Sequence, residues 1–486
     1  MPVTANPEDA HMLLNLRLCA IGTAAAVLAG CAAVDIDQTM SDASRSTQDF
    51  TQGKLELSRT DQQREQRSQL SEQLLAKPLS MDEAVQLALA SSPALQAMLA
   101  QSWADMAAAD QAGRIANPVF TFERMRLGSE LEIGRLLSIG LLDLLTLPQR
   151  QVISRNQLAQ ARTQLSVNVI EQVSRVRQSW VRAVAAQQIL GYAGQVNRTA
   201  QASAELARRM QQVGNFTKLQ RARQHLFYAD ATAQLAMAQH AATAAREELI
   251  RQLGLSDAQA VRLQLPERLP DLPKEPRAPA DVSAAATQQR LDVQLARLQV
   301  DAAGKAQGLQ LLNSLVDIEL GARRDTIFAN DGTGERSTRR GFELAIRLPV
   351  FDWGNAQRAA MNAQSLAAAN RYDGVVRGAA SQLRESYSAY RTAYDLSRHY
   401  RDEIVPLRKT MAEENVLRYN GMLIGVFELL ADTREQIASV MAAINAQQQF
   451  WLADAGLSSS LIGKPMAMDA MPLSAGPFRA AQGAGH

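Results

Sequence analysis

Apolar residues recur at intervals of three and four positions over a long stretch in the first half of the chain. The positions are Leu158, Ala161, Leu165, Val169, Val173, Val176, Trp180 and Val184. This spacing lines one face of a helix and is typical of a coiled-coil seam. It predicts a single helix over about 149–212, which at about 1.5 Å per residue is a rod of roughly 95 Å. A rod of that length exceeds what a globular core needs.

The same order of elements occurs twice, which predicts two structural repeats. In the first repeat, 80–263, Ser80 and Glu83 form a capping-box start for a helix that reaches Ala116. There follow strands over about 119–127 and 130–147, the long helix over about 149–212, a break at Gly214-Asn215 and a returning helix over about 217–253.

The second repeat, 281–457, has the same plan. It comprises a helix over 281–315, strands over about 316–323 and 341–350, a long helix over about 355–419, a break at Asn420-Gly421 and a last helix over about 426–456. A proline-rich connector, 264–280, separates the repeats and favours an extended spacer. We expect 31–79 to form an extended arm, helical in part around 60–76, and the tail 458–486 to be disordered.

The strand segments alternate between apolar and polar residues in a way that suits a membrane. Phe342, Leu344 and Ile346 share one face, whereas Glu343 and Arg347 share the other. Such segments match transmembrane β-strands, although soluble sheets use the same pattern. Four strands form an open sheet, and lipid cannot satisfy its edges. Either the sheet is soluble and covered, or several chains close a barrel together, and three copies would supply twelve strands.

The N-terminus has the layout of a secretory signal peptide, predicted over 1–30. Arg17 precedes a short apolar run, and the run ends in Leu28-Ala29-Gly30-Cys31, which resembles the bacterial lipobox. That signal implies that Cys31 is lipidated, for example with palmitate, and that it becomes the first mature residue. Ala32, in place of an aspartate, implies the outer membrane of a Gram-negative bacterium. The alternative is a plain signal peptide with a chance cysteine.

Composition and motifs exclude several classes of function. The chain has 486 residues, 47% hydrophobic and only 5% aromatic, which suits long, closely packed helices. The net charge is +2 with no concentrated basic segment, so we expect no nucleic-acid partner. The five histidines have no metal-ligand spacing, and no nucleophile-elbow, phosphate-loop or zinc-protease motif appears. The sequence therefore predicts a protein that is not an enzyme and has no metal site.

Two motifs carry a resemblance to a known family. One is the run Leu348-Pro349-Val350-Phe351-Asp352-Trp353-Gly354-Asn355, with Leu147-Pro148 as its degenerate counterpart in the first repeat. The other is Arg418-Tyr419-Asn420-Gly421 followed by Phe427-Glu428-Leu429-Leu430-Ala431-Asp432, with Val213-Gly214 as its counterpart. They resemble the strand-to-helix turn and the helical hairpin tip of the TolC-type outer-membrane factors, or outer-membrane efflux lipoproteins. With the element order, the resemblance covers nearly all of 80–457.

The resemblance implies a mostly α fold with a small transmembrane β part, arranged as a trimeric α/β-barrel duct. Four strands per chain would make a 12-stranded barrel in the homotrimer, and the helices would cross the periplasm. It implies a passive efflux duct that docks to a periplasmic adaptor (membrane fusion protein) and an inner-membrane pump, with no cofactor apart from covalent lipid on Cys31. The adaptor-contacting tips would be Gly214, Asn215, Asn420 and Gly421.

The gate of the duct is less well defined by the resemblance. In the family, carboxylates six and nine residues after the tip glycine ring the constriction, and these positions are Phe427 and Leu430 here. The nearest acids are Glu428 and Asp432. These four residues are the gate candidates, with gating by dewetting or simple packing between helices as alternatives for the apolar pair.

Two other classes of protein compete with this interpretation. A structural coiled-coil lipoprotein would lack a barrel. A periplasmic adaptor would have one helical hairpin flanked by soluble β-domains, whereas this chain predicts two equivalent repeats, each with its own strand pair. The sequence does not identify the exported substrate, the class of pump or the resting state of the channel.

Overall fold

The structure is a computed structural model that describes residues 35–128, 130–278, 290–315, 317–329, 336–348 and 350–464. The signal peptide, the lipidation site Cys31, the end of the connector and the start of the second repeat lie outside the described residues. So does the tail from residue 465.

Helices dominate the chain, and four strands interrupt them in two pairs. Before the first long helix the elements are α1 Ile36–Thr51, α2 Asp61–Leu74, α3 Met81–Ser91, α4 Pro93–Ala112, β1 Val119–Leu127, β2 Glu130–Gly140 and α5 Leu141–Leu145. Next come α6 Leu147–Gln212, α7 Lys218–Leu253, α8 Asp257–Ala260, α9 Leu291–Leu315, β3 Asp317–Ala329 and β4 Arg336–Arg347. The last are α10 Asn355–His399, a π-helical turn Tyr400–Ile404, α11 Val405–Asn420 and α12 Val426–Ile462. The predicted class, a mostly helical protein with four strands, is confirmed.

The chain forms two compact units. One unit comprises Met1–Thr39, Gln101–Arg162 and Ala296–Tyr372, and it contains the sheet. The other comprises Met40–Ala100, Thr163–Leu295 and Asp373–His486, and it contains both helical hairpin tips.

The four strands form one antiparallel sheet in the order β1-β2-β3-β4. The two predicted strand pairs are joined along β2 and β3, where Ile139 lies opposite Leu320. Because side chains alternate along each strand, one face collects the apolar rows and the other carries the acidic residues of the strands. The apolar face is exposed, with Phe120 62% and Phe342 85% accessible.

Strand boundaries differ from the prediction at three places. The second strand does not reach residue 147, because it ends at Gly140 and the leucine-rich segment Leu141–Leu145 turns helical. The third strand continues to Ala329 and the fourth begins at Arg336. The charged residues that masked this extension form ion pairs; for example, the Arg323 guanidinium lies 3.1 Å from a carboxylate oxygen of Asp325 on the same strand.

The first helix of the first repeat is two helices and not one. Ser92 ends α3 with an extended conformation, ψ 114°, because the residue before a proline avoids the helical region and Pro93 follows. The backbone there approaches Gly254, which ends α7 with φ +70°. A Cβ atom on Gly254 would come within 2.6 Å of the Ser92 Cα, so only glycine fits this position.

The second long helix, predicted as continuous over 355–419, is interrupted. A single π-helical turn, Tyr400–Ile404, joins α10 to α11. Pro406 follows this turn, and a proline lacks an N–H and clashes with the carbonyl four residues earlier. The wider turn removes that clash, which is the usual use of a π-bulge.

The predicted extended arm is wrong in its first part, where Ile36–Thr51 is helical. The end of α1 is held by Arg177, whose Nη2 donates to the Phe50 carbonyl at 2.7 Å. The Arg177 guanidinium also lies 4.6 Å from the centre of the Phe50 ring. Since Phe50 and Leu55 are both buried, apolar burial orders a segment whose composition is polar overall.

The C-terminal helix is longer than predicted, because α12 continues to Ile462. Residues 458–462 are therefore helical and not part of a disordered tail. Gly463 ends the helix with φ +102°, and a Cβ atom there would lie 2.7 Å from an Asp292 carboxylate oxygen.

The connector packs on the second repeat through its backbone carbonyls. The Tyr394 hydroxyl donates to the carbonyls of Pro273 and Lys274, and the Trp451 indole N–H donates to that of Pro270 at 3.0 Å. Tyr394 lies in a core cluster with Tyr390 and Phe450, so these tyrosines are core residues with a polar end.

Candidate functional site

The first helical tip closes with a left-handed glycine. Gly214 has φ +82°, and the N–H of Asn215 donates to the Met210 carbonyl at 2.9 Å. This bond is the hydrogen bond of a Schellman end. Thr217 then caps α7 with a full capping box formed with Gln220.

The second tip closes in the same way, but one residue later than predicted. Gly421 has an ordinary φ of −79°, whereas Met422 has φ +58°. The N–H of Leu423 donates to the Arg418 carbonyl at 2.8 Å, across the same five-residue separation as at the first tip. Gly425 precedes α12 as its N-cap.

The two tips are therefore equivalent when their left-handed residues are matched. Gly214 corresponds to Met422, and the cap Thr217 corresponds to Gly425, three residues later in each tip. The predicted match of Gly214 with Gly421 is one residue out of register. The distance along the chain from the left-handed residue to the N-cap of the following helix is the same in both tips. That equal distance is the feature of the sequence from which this register could have been predicted.

Both tips expose apolar side chains. Val213 at the first tip is 71% accessible, and Met422 and Leu423 at the second are 93% and 74% accessible. Asn215 and Asn420 are exposed beside them. Single exposed apolar residues are ordinary, but their concentration at two equivalent turns is typical of a contact surface.

The sheet contributes the second part of the candidate site. On its charged face, Arg323 reaches a Glu123 carboxylate oxygen at 3.1 Å and also pairs with Asp325. On its apolar face no such pair occurs among the described strand residues. Among the described strands, β2 and β3 have neighbours on both sides, whereas β1 and β4 are open edges.

Comparison with protein families gives one match, the outer membrane efflux protein family, over residues 282–457. That range covers the second repeat, including its strands and its tip. The second repeat is therefore similar to the outer membrane efflux protein family. The predicted resemblance to TolC-type outer-membrane factors is confirmed.

Solved structures share the fold over most of the chain. A membrane protein from Pseudomonas aeruginosa is 20% identical, with 78% of this chain and 93% of that chain covered and a TM-score of 0.66. The CmeC outer membrane channel of Campylobacter jejuni is 14% identical, with 80% and 87% covered and a TM-score of 0.67. The outer membrane protein VceC from Vibrio cholerae is 16% identical, with 82% and 96% covered and a TM-score of 0.64. A comparison with curated protein sequences finds no match.

The family match agrees with the prediction of an outer-membrane efflux channel. In the described part of the chain, no helix combines the length and apolarity needed to cross a membrane. Within the same residues, no group of three or more His, Cys, Asp or Glu side chains could hold a metal ion.

The four gate candidates lie at the start of α12. Glu428 is exposed in the first turn, and Leu430 is half-buried. One Asp432 carboxylate oxygen is buried and has no hydrogen-bond partner among the described residues. The prediction for the Phe427 side chain lies outside what the structure describes.

Contacts just beyond these candidates join the two hairpins. The Arg434 guanidinium lies 4.3 Å from the centre of the Phe227 ring on α7, and burial lowers the pKa of Arg434. Ile437 joins the same apolar cluster as Phe227. Within the second hairpin, Arg408 on α11 pairs with Glu435 at 2.5 Å. The start of α12 thus packs against α7 on one side and forms an ion pair with α11 on the other.

Substitutions at the tips test which residues close them. Gly214→Ala introduces a Cβ at φ +82° and is expected to weaken the first tip by about 1 kcal/mol. Met422→Gly is expected to strengthen the second tip by about 0.5–1 kcal/mol, because the left-handed strain is removed. Gly421→Ala at φ −79° is the control and is expected to cost nothing. Hydrogen exchange at the amides of Asn215 and Leu423 measures these changes, and a weakened tip in Gly421→Ala would contradict the assigned register.

Proposed function

We propose that three copies of the chain form a passive efflux duct, with the sheets completing one barrel in the outer membrane. The observation that carries this is the combination of two open edge strands, β1 and β4, with an apolar face on which Phe120 and Phe342 are exposed. Lipid cannot satisfy an open sheet edge, so the edges must pair with other copies. Three four-stranded sheets give twelve strands, which lies within the range of bacterial barrels.

Conduction through such a duct needs no chemical step. The charged face of the sheet, with Glu123, Arg323 and Asp325, lines the water-filled side, and the apolar face contacts lipid. We expect the energy for export to come from an inner-membrane pump. Lipid on Cys31 would add a second attachment to the outer membrane, because acyl chains contribute about 0.8 kcal/mol per buried CH₂.

The two tips form the surface that docks the periplasmic adaptor. The exposed apolar residues Val213, Met422 and Leu423 support this assignment. Beside the first tip, a groove of about 800 Å³ is lined by Arg208, Lys218 and other polar residues. The adaptor surface expected there is apolar at the tips and acidic in the groove.

The corrected register of the second tip changes which residues are expected to form the gate. Counted from the left-handed residue Met422, the positions six and nine residues later are Glu428 and Ala431. Both are exposed and lie three residues apart on one face of α12, whereas Leu430 is half-buried. In the trimer Glu428 would give one ring of carboxylates and Ala431 an uncharged ring. Asp432 lies outside this pair of positions.

The barrel is tested with a matched pair of arginine substitutions on β4. Leu344→Arg puts a charge on the lipid face and is expected to cost about 2–4 kcal/mol per chain, which prevents barrel formation. Ala345→Arg puts the same charge on the opposite face, beside Glu319, and is expected to be tolerated. Conductance in planar bilayers after reconstitution measures both. If neither the parent protein nor Ala345→Arg conducts, the duct is refuted.

The gate is tested by single-channel block with multivalent cations. Glu428→Gln removes the carboxylate ring and is expected to weaken the block at least tenfold, because neutral amides attract cations far less than carboxylates. Asp432→Asn is the control, with an unchanged block expected. Equal effects of the two substitutions would show that the register from Met422 does not define the constriction.

Adaptor docking is tested by a photo-crosslinking residue placed at Leu423 and, as a control, at Val261, which is equally exposed but remote from the tips along the chain. In intact cells the Leu423 probe is expected to capture a periplasmic adaptor and the Val261 probe is not. Identical products from the two probes, or none from Leu423, would exclude docking at the second tip.

A further inference from the structure

The apolar face of the sheet changes character abruptly along the strands. In two neighbouring rows every residue is apolar: Ile139, Leu320 and Leu344 in one, and Phe120, Leu137, Ala322 and Phe342 in the next. The following row comprises Phe122, Arg135, Arg324 and Arg340. Arginine thus occupies three adjacent strands directly beside the apolar rows.

These three arginines lie directly opposite one another. The register pairs Arg135 with Arg324 and Arg324 with Arg340. Directly opposed residues on antiparallel strands have Cβ atoms about 4.5–5.5 Å apart, and like charges at that spacing repel. None of the three forms an ion pair with any described residue of the chain. A row of this kind, without acidic partners among the described residues, attracts anions from outside the chain.

The opposite face shows how this sheet treats an arginine that has internal partners. Arg323, next to Arg324 in sequence, lies within reach of carboxylates of Glu123, Asp325 and Glu343. The apolar face carries no acidic residue among its described positions on the four strands. On the charged face, carboxylates of the chain therefore neutralise the arginine. On the apolar face, the arginines have no acidic neighbour among the described strand positions.

The arginine row lies towards the hairpin end of the sheet. The chain enters β1 from α4 and leaves β4 towards α10, so the helices adjoin the apolar rows. Beyond the arginine row the same face adds Arg124, Arg126 and Arg336, the last two adjacent to the strand ends. In a barrel whose helices extend into the periplasm, this level corresponds to the outer leaflet.

We propose that Arg135, Arg324 and Arg340 form a binding site for the phosphate groups of a phosphorylated glycolipid, the lipopolysaccharide class, in the outer leaflet. The proposal rests on the proposed function, since it requires the sheet to lie in the outer membrane. Guanidinium groups bind phosphate oxygens in a bidentate manner, and basic clusters beside an apolar surface recruit anionic lipid headgroups. A free phosphate would use only the arginines, whereas a lipid also uses Phe122 and Phe342 beside them.

Two of the arginines on this face are already oriented. Arg135 Nη1 donates to the Thr326 hydroxyl at 3.4 Å, and the Arg336 guanidinium lies 5.7 Å from the Phe328 ring centre. Side chains held in this way lose less conformational freedom when a ligand binds. Arg324 and Arg340 are exposed and provide the accessible charge.

The site is tested with the full-length protein in detergent and purified lipid A as the probe. Native mass spectrometry measures the affinity for bisphosphorylated lipid A and for the same lipid without phosphates. Arg340→Gln is expected to weaken binding of the bisphosphorylated lipid about fivefold, and Arg324→Gln combined with Arg340→Gln about thirtyfold. Arg339→Gln, the adjacent residue on the opposite face, is the matched control and is expected to leave binding unchanged.

The proposal is overturned if Arg339→Gln and Arg340→Gln bind equally, or if removal of the phosphates does not weaken binding to the parent protein. The second comparison needs no variant, so it holds even if the double substitution does not fold. Displacement of lipid A by millimolar inorganic phosphate would show a free-anion site instead of a lipid site. Bilayer conductance, measured on the same preparations, separates failure of this site from failure of the duct.

Discussion

Unpaired backbone groups at the edges of a four-stranded sheet are the constraint on which this structure depends. β1 and β4 each present one row of amide and carbonyl groups without a partner among the described residues. Water could solvate such rows, but the exposed Phe120 and Phe342 face makes water an unfavourable surrounding for this sheet. Lipid suits the face but not the edges. Pairing with further copies, as in the proposed duct, would satisfy both the face and the edges.

The same constraint decides where charge can lie on the sheet. Hydrocarbon excludes charge at a cost of several kcal/mol for each arginine at the membrane centre, so the rows from Ile318 to Phe342 on the lipid face are uncharged. On the other face, water and paired carboxylates remove that cost, and Arg323 lies within reach of acidic side chains on β1, β3 and β4. Strand length and charge pattern are therefore linked. β3 and β4 extend past their apolar part because their outer portions are stabilised by polar contacts.

The sequence predicted the helices and strands that depend on a periodic pattern. It did not predict the local features that depend on one or a few residues. The 3.6-residue and two-residue periods located both long helices and all four strands, because burial of one face is a property of many positions together. The interruption at Tyr400–Ile404 has only one cause, Pro406, and a proline in a helix permits either a kink or a wider turn. The helix Ile36–Thr51 was missed because its polar composition hides the few apolar contacts, such as Phe50, that order it.

The second tip shows why a glycine in the sequence is an unreliable marker of a left-handed residue. A helix ends where its last carbonyls find donors, and the five-residue bond from Leu423 to Arg418 fixes that point at Met422. Gly421 is one position too early to close it and takes an ordinary conformation. A methionine at φ +58° carries strain of roughly 1 kcal/mol, which the first tip avoids by having Gly214. The two tips are thus equal in geometry but unequal in stability. A less stable turn opens at lower cost, and elements that move are drawn from the less stable parts of a fold. The strain therefore lies on the hairpin whose returning helix carries Glu428.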